Sequence, residues 1–385
     1  MSTTKSAIAG IGQTEFSKDS GRSELQLAVE AVHAALQDAG LRPADVDGMV
    51  TFVQDTNDEV AICRSIGIPE LRWTSRTPFG GAGASATVQL AAAAVDSGMA
   101  ECVVVYRAFN ERSGRRFGQP VVGGPRPAAA IPPSMSWYLP FGLDTPAKFY
   151  ALWYQRYLHQ YGVTNEDLGR YVVIARQYAA TNPNAWFYQR PITIDDHQAS
   201  RWIAEPVLRK LDCCQESDGG VALVITSRER ARDLAQPPVW IHAASESHLA
   251  AGDTMFNYFH PDIAGFPEAE SLGQHLWKAT GLSPSDIGVA LLYENFSPVV
   301  FLMLEAFGFC GRGEAKDFIA SGEISPGGSL PTNTHGGLLG EAYIHGVNNF
   351  LEGVRQLRGT APNQVAGVEH VLVSAGRSAA ILTAG

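Results

Sequence analysis

Two tyrosines and a histidine are the side chains of this sequence best suited to moving protons. Tyr293 follows a continuous apolar run and opens the turn Tyr293-Glu-Asn-Phe296. A phenol ordinarily titrates near 10. At a strand end facing a cleft it exchanges a proton when its neighbours stabilise the phenolate. His335 sits in the glycine-rich turn Asn333-Thr-His-Gly-Gly337, a setting that can offer an imidazole donor to a site. Tyr343 lies in Gly340-Glu-Ala-Tyr-Ile-His-Gly346, which reads as the start of a long helix. A helix N-terminus favours an anion, so a phenol there would be more acidic. Glu341 and His345 flank it as secondary candidates. Each residue also has a plain structural reading: a tyrosine packs in the core with its hydroxyl satisfied, and a loop histidine bonds nearby backbone.

Other chemistries find less support. The five cysteines, Cys63, Cys102, Cys213, Cys214 and Cys310, are odd in number and fit no zinc spacing, so reduced thiols in a cytoplasmic protein are expected, with no metal. Ser85 opens an alanine-rich stretch, but nothing around it resembles an activating partner, so it reads as helix packing. No G-x-x-x-x-G-K-[ST] loop and no well-placed G-x-G-x-x-G is present. Arg107, Arg112, Arg115 and Arg116 form the most plausible phosphate-facing cluster, although a solvated loop face is the preferred reading of them. A net charge of -10 without a basic stripe argues against nucleic acid. No apolar run reaches the roughly 18 residues a membrane span needs, and Met1–Gly10 lacks the layout of a signal peptide.

Apolar residues make up 45% of the 385-residue chain, enough for two packed halves. Ala7–Gly12 reads as a strand. A helix follows from Ser23 to its stop at Gly40, with apolar residues at helical spacing from Leu27 to Leu36. Val46–Val53 is a strand, Ala82–Ser97 a helix, and Cys102–Tyr106 a strand covered on both faces. The order returns later. Gly40-Leu-Arg-Pro-Ala-Asp-Val46 is matched by Gly281-Leu-Ser-Pro-Ser-Asp-Ile287, with a helix before it (Ser271–Thr280) and a strand after it (Ile287–Tyr293). A second helix over Ala342–Leu357 leads to the strand His370–Ser374. An internal duplication of an α/β unit is the simplest account. Between the halves lies an insertion. Its first part, Arg112–Pro146, is a loop, and its second part holds helices over Tyr150–Tyr161 and Leu168–Thr181. The expected division is 1–110 with 207–245, an insertion over 111–206 forming a lid or pocket wall, and 246–385.

An ordered series of segments carries a family likeness: Ala175-Arg-Gln-Tyr-Ala-Ala-Thr-Asn-Pro-Asn-Ala185, Pro191–Ile194, Ser200–Pro206, Leu211-Asp-Cys-Cys214 and Ser217-Asp-Gly-Gly-Val-Ala222. The chain resembles the thiolase superfamily over essentially its whole length. Within it, the chain resembles the sterol-carrier or lipid-transfer-protein branch, and most closely the actinobacterial steroid side-chain-cleaving aldolases. The resemblance implies an α/β thiolase fold of two pseudo-duplicated αβαβα halves. It places the thiolase nucleophile within one residue of Gly81, in Phe79-Gly-Gly-Ala-Gly-Ala-Ser85, where no cysteine stands. The second thiolase cysteine is replaced in Ser374-Ala-Gly-Arg-Ser378, and serine's pKa is too high for a proton shuttle. Acyl transfer through sulfur is therefore not expected. The resemblance aligns His335 with one thiolase histidine and Tyr293 with the other.

Retro-aldol cleavage needs no covalent nucleophile. A base takes the β-hydroxyl proton, the Cα–Cβ bond breaks to a ketone and a thioester enolate, donors hold the enolate oxygen, and an acid protonates its carbon. The resemblance thus implies Tyr293 as base, Tyr343 as acid and His335 as oxyanion donor, with the two tyrosine roles interchangeable. The resemblance implies a ketone and a short acyl-CoA such as propionyl-CoA as products, from a steroid side chain; CoA belongs to the substrate and no separate cofactor is implied. The resemblance further implies a homodimer and a small OB-fold partner of the DUF35 type. The rival readings are a non-catalytic acyl-CoA or lipid carrier and a condensing enzyme. The aromatic segment Trp137–Phe149 would suit a wide apolar pocket or an ordinary lid.

Overall fold

Short apolar runs punctuated by glycine and proline build the strands of this protein. The computed structural model describes residues 4–78, 80–114, 116, 137–252 and 259–385. Its strands are β1 (Ser6–Gln13), β2 (Gly48–Phe52), β3 (Trp73–Thr77), β4 (Cys102–Asn110), β5 (Trp202–Ala204), β6 (Leu208–Arg209), β7 (Asp218–Ser227), β8 (Val239–Glu246), β9 (Val289–Leu292), β10 (His370–Ser374) and β11 (Ser378–Ala384). The longer helices are α1 (Glu24–Ala39), α2 (Glu59–Ile66), α3 (Ala84–Asp96), α4 (Pro146–Tyr161), α5 (Asn165–Thr181), α6 (Pro267–Thr280), α7 (Pro298–Ala306) and α8 (Val347–Arg358).

Local signals set several boundaries. Ser23 caps α1 by accepting from the Gln26 N–H, and Gly40 ends it with φ 72°. Thr164 and Asp167 form a reciprocal capping box on α5.

The duplication is written into the strand order, β3-β2-β4-β7-β1-β8-β11-β10-β9. In the first half β2 and β4 are parallel, β4 and β7 antiparallel, and β7 and β1 antiparallel. In the second half β9 and β10, β10 and β11, and β11 and β8 repeat those three relations in turn. The halves join through β1 and β8, paired only at Ala7–Trp240 and Ile8–Val239. β8 pairs along its length with β11.

Alternation along β4 shows the layering. Cys102, Val104, Tyr106 and Ala108 enter the core under α1 and α2, whereas Val103, Val105 and Phe109 enter a core shared with α3, α8 and the strands of the other half. α3 touches strands of both halves. Residues 347–354 of α8 are all buried, as expected of a helix covered on every side. A third core packs the outer face of β9, β10 and β11 against α6, α7 and the insertion helices α4 and α5.

Two boundaries differ from the sequence reading. The second central helix starts at Val347, not Ala342, because His345 (φ 51°) and Gly346 (φ 78°) are left-handed and break any right-handed turn there. The loop expected over Arg112–Pro146 lies largely outside the described residues, as do Phe79 and Arg115.

Candidate active site

The duplication brings two loops to the same place. Gly80–Gly83 precedes α3 in the first half, and Gly340–Gly346 precedes α8 in the second. Between them projects Tyr293, the first residue after β9. Its N–H donates to the Ser374 carbonyl at 2.8 Å. Asn333 fixes the strand end beneath it. Its side-chain oxygen accepts from Leu292 N–H at 2.7 Å, and its amide donates to the Leu292 carbonyl at 2.9 Å and to the Tyr171 hydroxyl at 2.8 Å.

The hydroxyls of Tyr293 and Tyr343 meet at 2.8 Å, and each residue keeps 7% of its surface exposed. Tyr343 is held from the opposite half: it bridges Glu216 in parallel fashion, and its N–H donates to Ser217 Oγ at 3.3 Å. Since Tyr343 lies in a loop before α8, no N-terminal helix dipole acidifies it, which corrects the sequence reading. Burial pushes both phenols well above their ordinary value. For Tyr293 the next cause is Tyr343 itself, and for Tyr343 it is Cys214 followed by Glu111. Both are therefore neutral at rest.

Gly81 explains how Tyr293 reaches this position. A Cβ on Gly81 would stand 2.1 Å from Cε2, 2.2 Å from Cζ and 2.3 Å from the hydroxyl oxygen of Tyr293, and one on Gly346 would stand 2.9 Å from Cδ2. The phenol fills the space that a side chain at position 81 would need.

The remaining candidates are engaged elsewhere. Ser85 donates to the Val373 carbonyl at 3.2 Å, and Ser378 to the Ala82 carbonyl at 2.7 Å. Ser374 Oγ accepts from Gly376 N–H at 3.1 Å. Cys214 lies near the phenols, but burial raises its thiol well above the usual range, so it is a poor nucleophile. All five cysteines are free. His335 is fully buried. Its Nε2 meets Asn349 Oδ1 at 3.2 Å and lies 3.7 Å from Glu341, and burial lowers its pKa to about 3. No hydrogen bond or ring contact joins it to either tyrosine among the described residues, so the structure does not bring it into the pair. Glu341 accepts from Asn182 and Asn348 at 3.2 and 2.9 Å, and burial raises its pKa to about 7.

Arg107 does not face phosphate. It is buried with its guanidinium 2.6 Å from Asp55, a correction that follows from its place on the inner face of β4. Arg116 pairs with Glu216 at 2.6 Å, and the Arg112 N–H donates to Asp218 at 2.8 Å.

Sequence reasoning missed Glu294 and Tyr150. Glu294 is buried and accepts from Leu338 N–H at 2.8 Å, tying the tyrosine turn to the 337–340 turn. Tyr150, from insertion helix α4, packs on Phe296 with ring centroids 5.3 Å apart and is close enough to disfavour ionisation of both phenols. Helix α4 thus places one aromatic side chain beside the turn that carries Tyr293. The signal for Tyr150 was the aromatic run of α4; the signal for Glu294 was an acid next to a candidate phenol in an apolar context.

Residues 254–381 match the thiolase C-terminal domain-like family. The chain is 58% identical over 370 residues to a steroid side-chain-cleaving aldolase of Thermomonospora curvata, covering 96% of this chain and 94% of that protein. It is 56% identical to the 17-hydroxy-3-oxo-4-pregnene-20-carboxyl-CoA lyase of Mycobacterium tuberculosis, covering 98% and 97%. The solved Ltp2-ChsH2(DUF35) aldolase contains a chain with a TM-score of 0.93 and 55% identity, covering 99% of this chain and 98% of that one.

Proposed function

Since this chain belongs to the steroid side-chain-cleaving aldolases of the thiolase superfamily, we propose that its paired phenols carry the proton transfers of the reaction. The protein is a carbon–carbon lyase that cleaves a steroid CoA thioester by retro-aldol reaction. The observation that carries the residue assignment is the 2.8 Å contact between the two tyrosine hydroxyls over Gly81.

Neutral phenols change how the base must work. A buried tyrosine cannot store a phenolate without a cation beside it, and burial here favours the neutral form of both. The pair therefore acts as a relay. One phenol oxygen takes the β-hydroxyl proton as its own proton passes to the other, whose proton goes to the enolate carbon. The carbonyl of the ketone forms as the Cα–Cβ bond breaks, and its electrons enter the thioester. The proton leaving the hydroxyl equals the proton arriving at carbon, so the step balances. The hydrogen bond allows either direction, so Tyr293 and Tyr343 remain interchangeable as base and acid. His335, with its buried ring bonded through Nε2 to Asn349, stands outside the tyrosine pair, and the relay proposed here does not draw on it.

The substrate takes its CoA with it, and the proposed products are a steroid ketone and a short acyl-CoA such as propionyl-CoA. A DUF35 partner is expected from the assembly of the solved relative, and a homodimer is the proposed state of this chain. The free cysteines suit a reducing compartment, supporting a cytoplasmic setting. No helix among the described residues is long and apolar enough to cross a membrane.

The test is incubation of the chain, with and without a DUF35 partner, with a panel of steroid β-hydroxyacyl-CoA esters. Stoichiometric ketone and short acyl-CoA, with no acyl adduct in the intact mass of the protein, are expected. Binding without turnover in either arrangement would favour a carrier, and a covalent acyl adduct would contradict the relay.

A further inference from the structure

The relay works only if Tyr343 is held at hydrogen-bonding distance from Tyr293, yet Tyr343 sits in a loop and not on a helix or strand. What stiffens that loop is a buried chain of polar groups that crosses from the first half to the second. Asp55 accepts from Asn57 N–H at 2.9 Å and from the Asn57 amide at 2.8 Å through one oxygen, and its other oxygen meets Arg107 at 2.6 Å. Arg107, midway along the otherwise apolar β4, turns its Nε–H onto Nδ1 of His345 at 3.1 Å. A guanidinium only donates. Nδ1 must therefore be the accepting nitrogen, which puts the proton of the neutral ring on Nε2 and fixes one tautomer and one orientation.

The oriented ring then meets the catalytic phenol. His345 stands edge-to-face against Tyr343, with centroids 5.3 Å apart and planes at 89°. Phe109 and Phe52 flank the imidazole at 5.2 and 5.5 Å, and the Arg107 guanidinium lies over the Phe109 ring at 4.2 Å. Phe109 in turn meets Tyr343 edge-on at 6.4 Å. The backbone of His345 is left-handed at φ 51°, a conformation that disfavours most side chains. The following Gly346 is also left-handed, and it is there that the Tyr293 ring approaches most closely on this side. A buried ion pair is weak evidence for stability, since burying both charges costs much of what their attraction returns. Its direction, toward one ring nitrogen beside the reacting phenol, fits a role in fixing geometry.

We propose that His345 is a positioning residue for the relay, locked by Arg107 and Asp55 so that its ring holds the Tyr343 hydroxyl in line with Tyr293. This rests on the tyrosine-pair reading and deepens it. The first half, through Asp55, Arg107 and Phe109, thereby sets the geometry of a phenol carried by the second.

The test uses His345→Asn in the chain together with its DUF35 partner. Asparagine tolerates the left-handed conformation and keeps an acceptor near the Nδ1 position, so the fold should hold, but it removes the ring beside Tyr343. The expected result is a fall in kcat of about 10- to 100-fold, the usual consequence of misplacing a reacting group by a fraction of an ångström to one ångström. KM should stay within about twofold, because the substrate's binding surface is unchanged. Arg107→Lys keeps a cation for Asp55 but loses the planar donor; it should lower kcat in the same manner by a smaller factor. The decisive comparison places His345→Asn in a Tyr343→Phe background. If His345 acts through Tyr343, the second substitution adds less than about twofold. An unchanged kcat in His345→Asn, or a full additional loss in the Tyr343→Phe background, would overturn the proposal. Near-parent activity of Tyr343→Phe alone would instead overturn the tyrosine-pair reading, so the two failures are distinguishable.

Discussion

The loops Gly80–Gly83 and Gly340–Gly346 occupy matching positions ahead of α3 and α8, yet they solve opposite problems. The first supplies space: Gly80, Gly81 and Gly83 carry no side chains, and the room at Gly81 is filled by the Tyr293 ring. The second supplies groups: Glu341, Tyr343 and His345 are all buried there. A duplicated scaffold has divided its labour, one copy leaving room that the Tyr293 ring fills and the other carrying Tyr343 to meet it. A side chain at 81 and the Tyr293 ring cannot share the same volume, so the placement of this phenol depends on glycine at 81.

The comparison is most easily broken at its empty side. Gly81→Ala places a methyl carbon within 2.3 Å of Tyr293 ring atoms, so the ring must move by more than an ångström. kcat should fall at least about 10²-fold while circular dichroism stays native, and an active Gly81→Ala or Gly81→Cys protein would show that the empty loop is incidental. Just ahead of the crowded loop, Gly337→Ala would press on Glu294, whose carboxyl oxygen lies 1.6 Å from the added carbon, at a backbone φ of 63°. A loss of about 2 kcal/mol in denaturant midpoint analysis is expected, combining overpacking with strain.

A pH measurement sharpens the contrast further. Glu341 titrates at about 7 in the folded chain against 4.5 for a free side chain, burial being the main cause. Between those values the folded state holds a proton that the unfolded state has lost, so this group lowers stability as pH rises, by up to about 1 kcal/mol per pH unit. Relative to the parent, Glu341→Gln should gain stability from about pH 5 to 7, read as a diverging Tm. A parallel pair of Tm curves would show that Glu341 does not titrate this way. The smallest effect belongs to Ser85→Ala, which removes one neutral hydrogen bond to Val373 and should cost about 1 kcal/mol with kcat within twofold.

Much of this architecture was legible in the sequence. The Gly-Leu-x-Pro-x-Asp repeats announced the duplication, and the apolar run Cys102–Tyr106 announced a strand buried on both faces. Tyr293 stood out at the position of a family histidine and Tyr343 at the expected start of the second long helix, though their contact spans two loops that no local pattern connects. Tyr343 was assigned to a helix because Ala342–Leu357 has helical apolar spacing; the break at His345 and Gly346 depends on backbone angles that spacing does not encode. His335 read as a donor in a glycine-rich turn, but Asn182, just after α5, covers that turn, its amide donating to the His335 carbonyl at 2.9 Å. Arg107 was read with the loop arginines that follow it. Its position inside Val103-Val-Val-Tyr-Arg-Ala-Phe109 was the overlooked signal, since a charge within an apolar strand demands a buried partner.

The central claim is that two neutral phenols move the reaction's proton as a single unit. It is tested most directly by single-turnover release of ketone from a steroid β-hydroxyacyl-CoA, comparing the parent with Tyr293→Phe, Tyr343→Phe and the double variant. Each single change should slow release at least about 10²-fold, and the double variant should be no slower than the worse single one, as expected of groups that act together. A single variant that releases ketone at the parental rate, or losses that multiply in the double variant, would contradict the account.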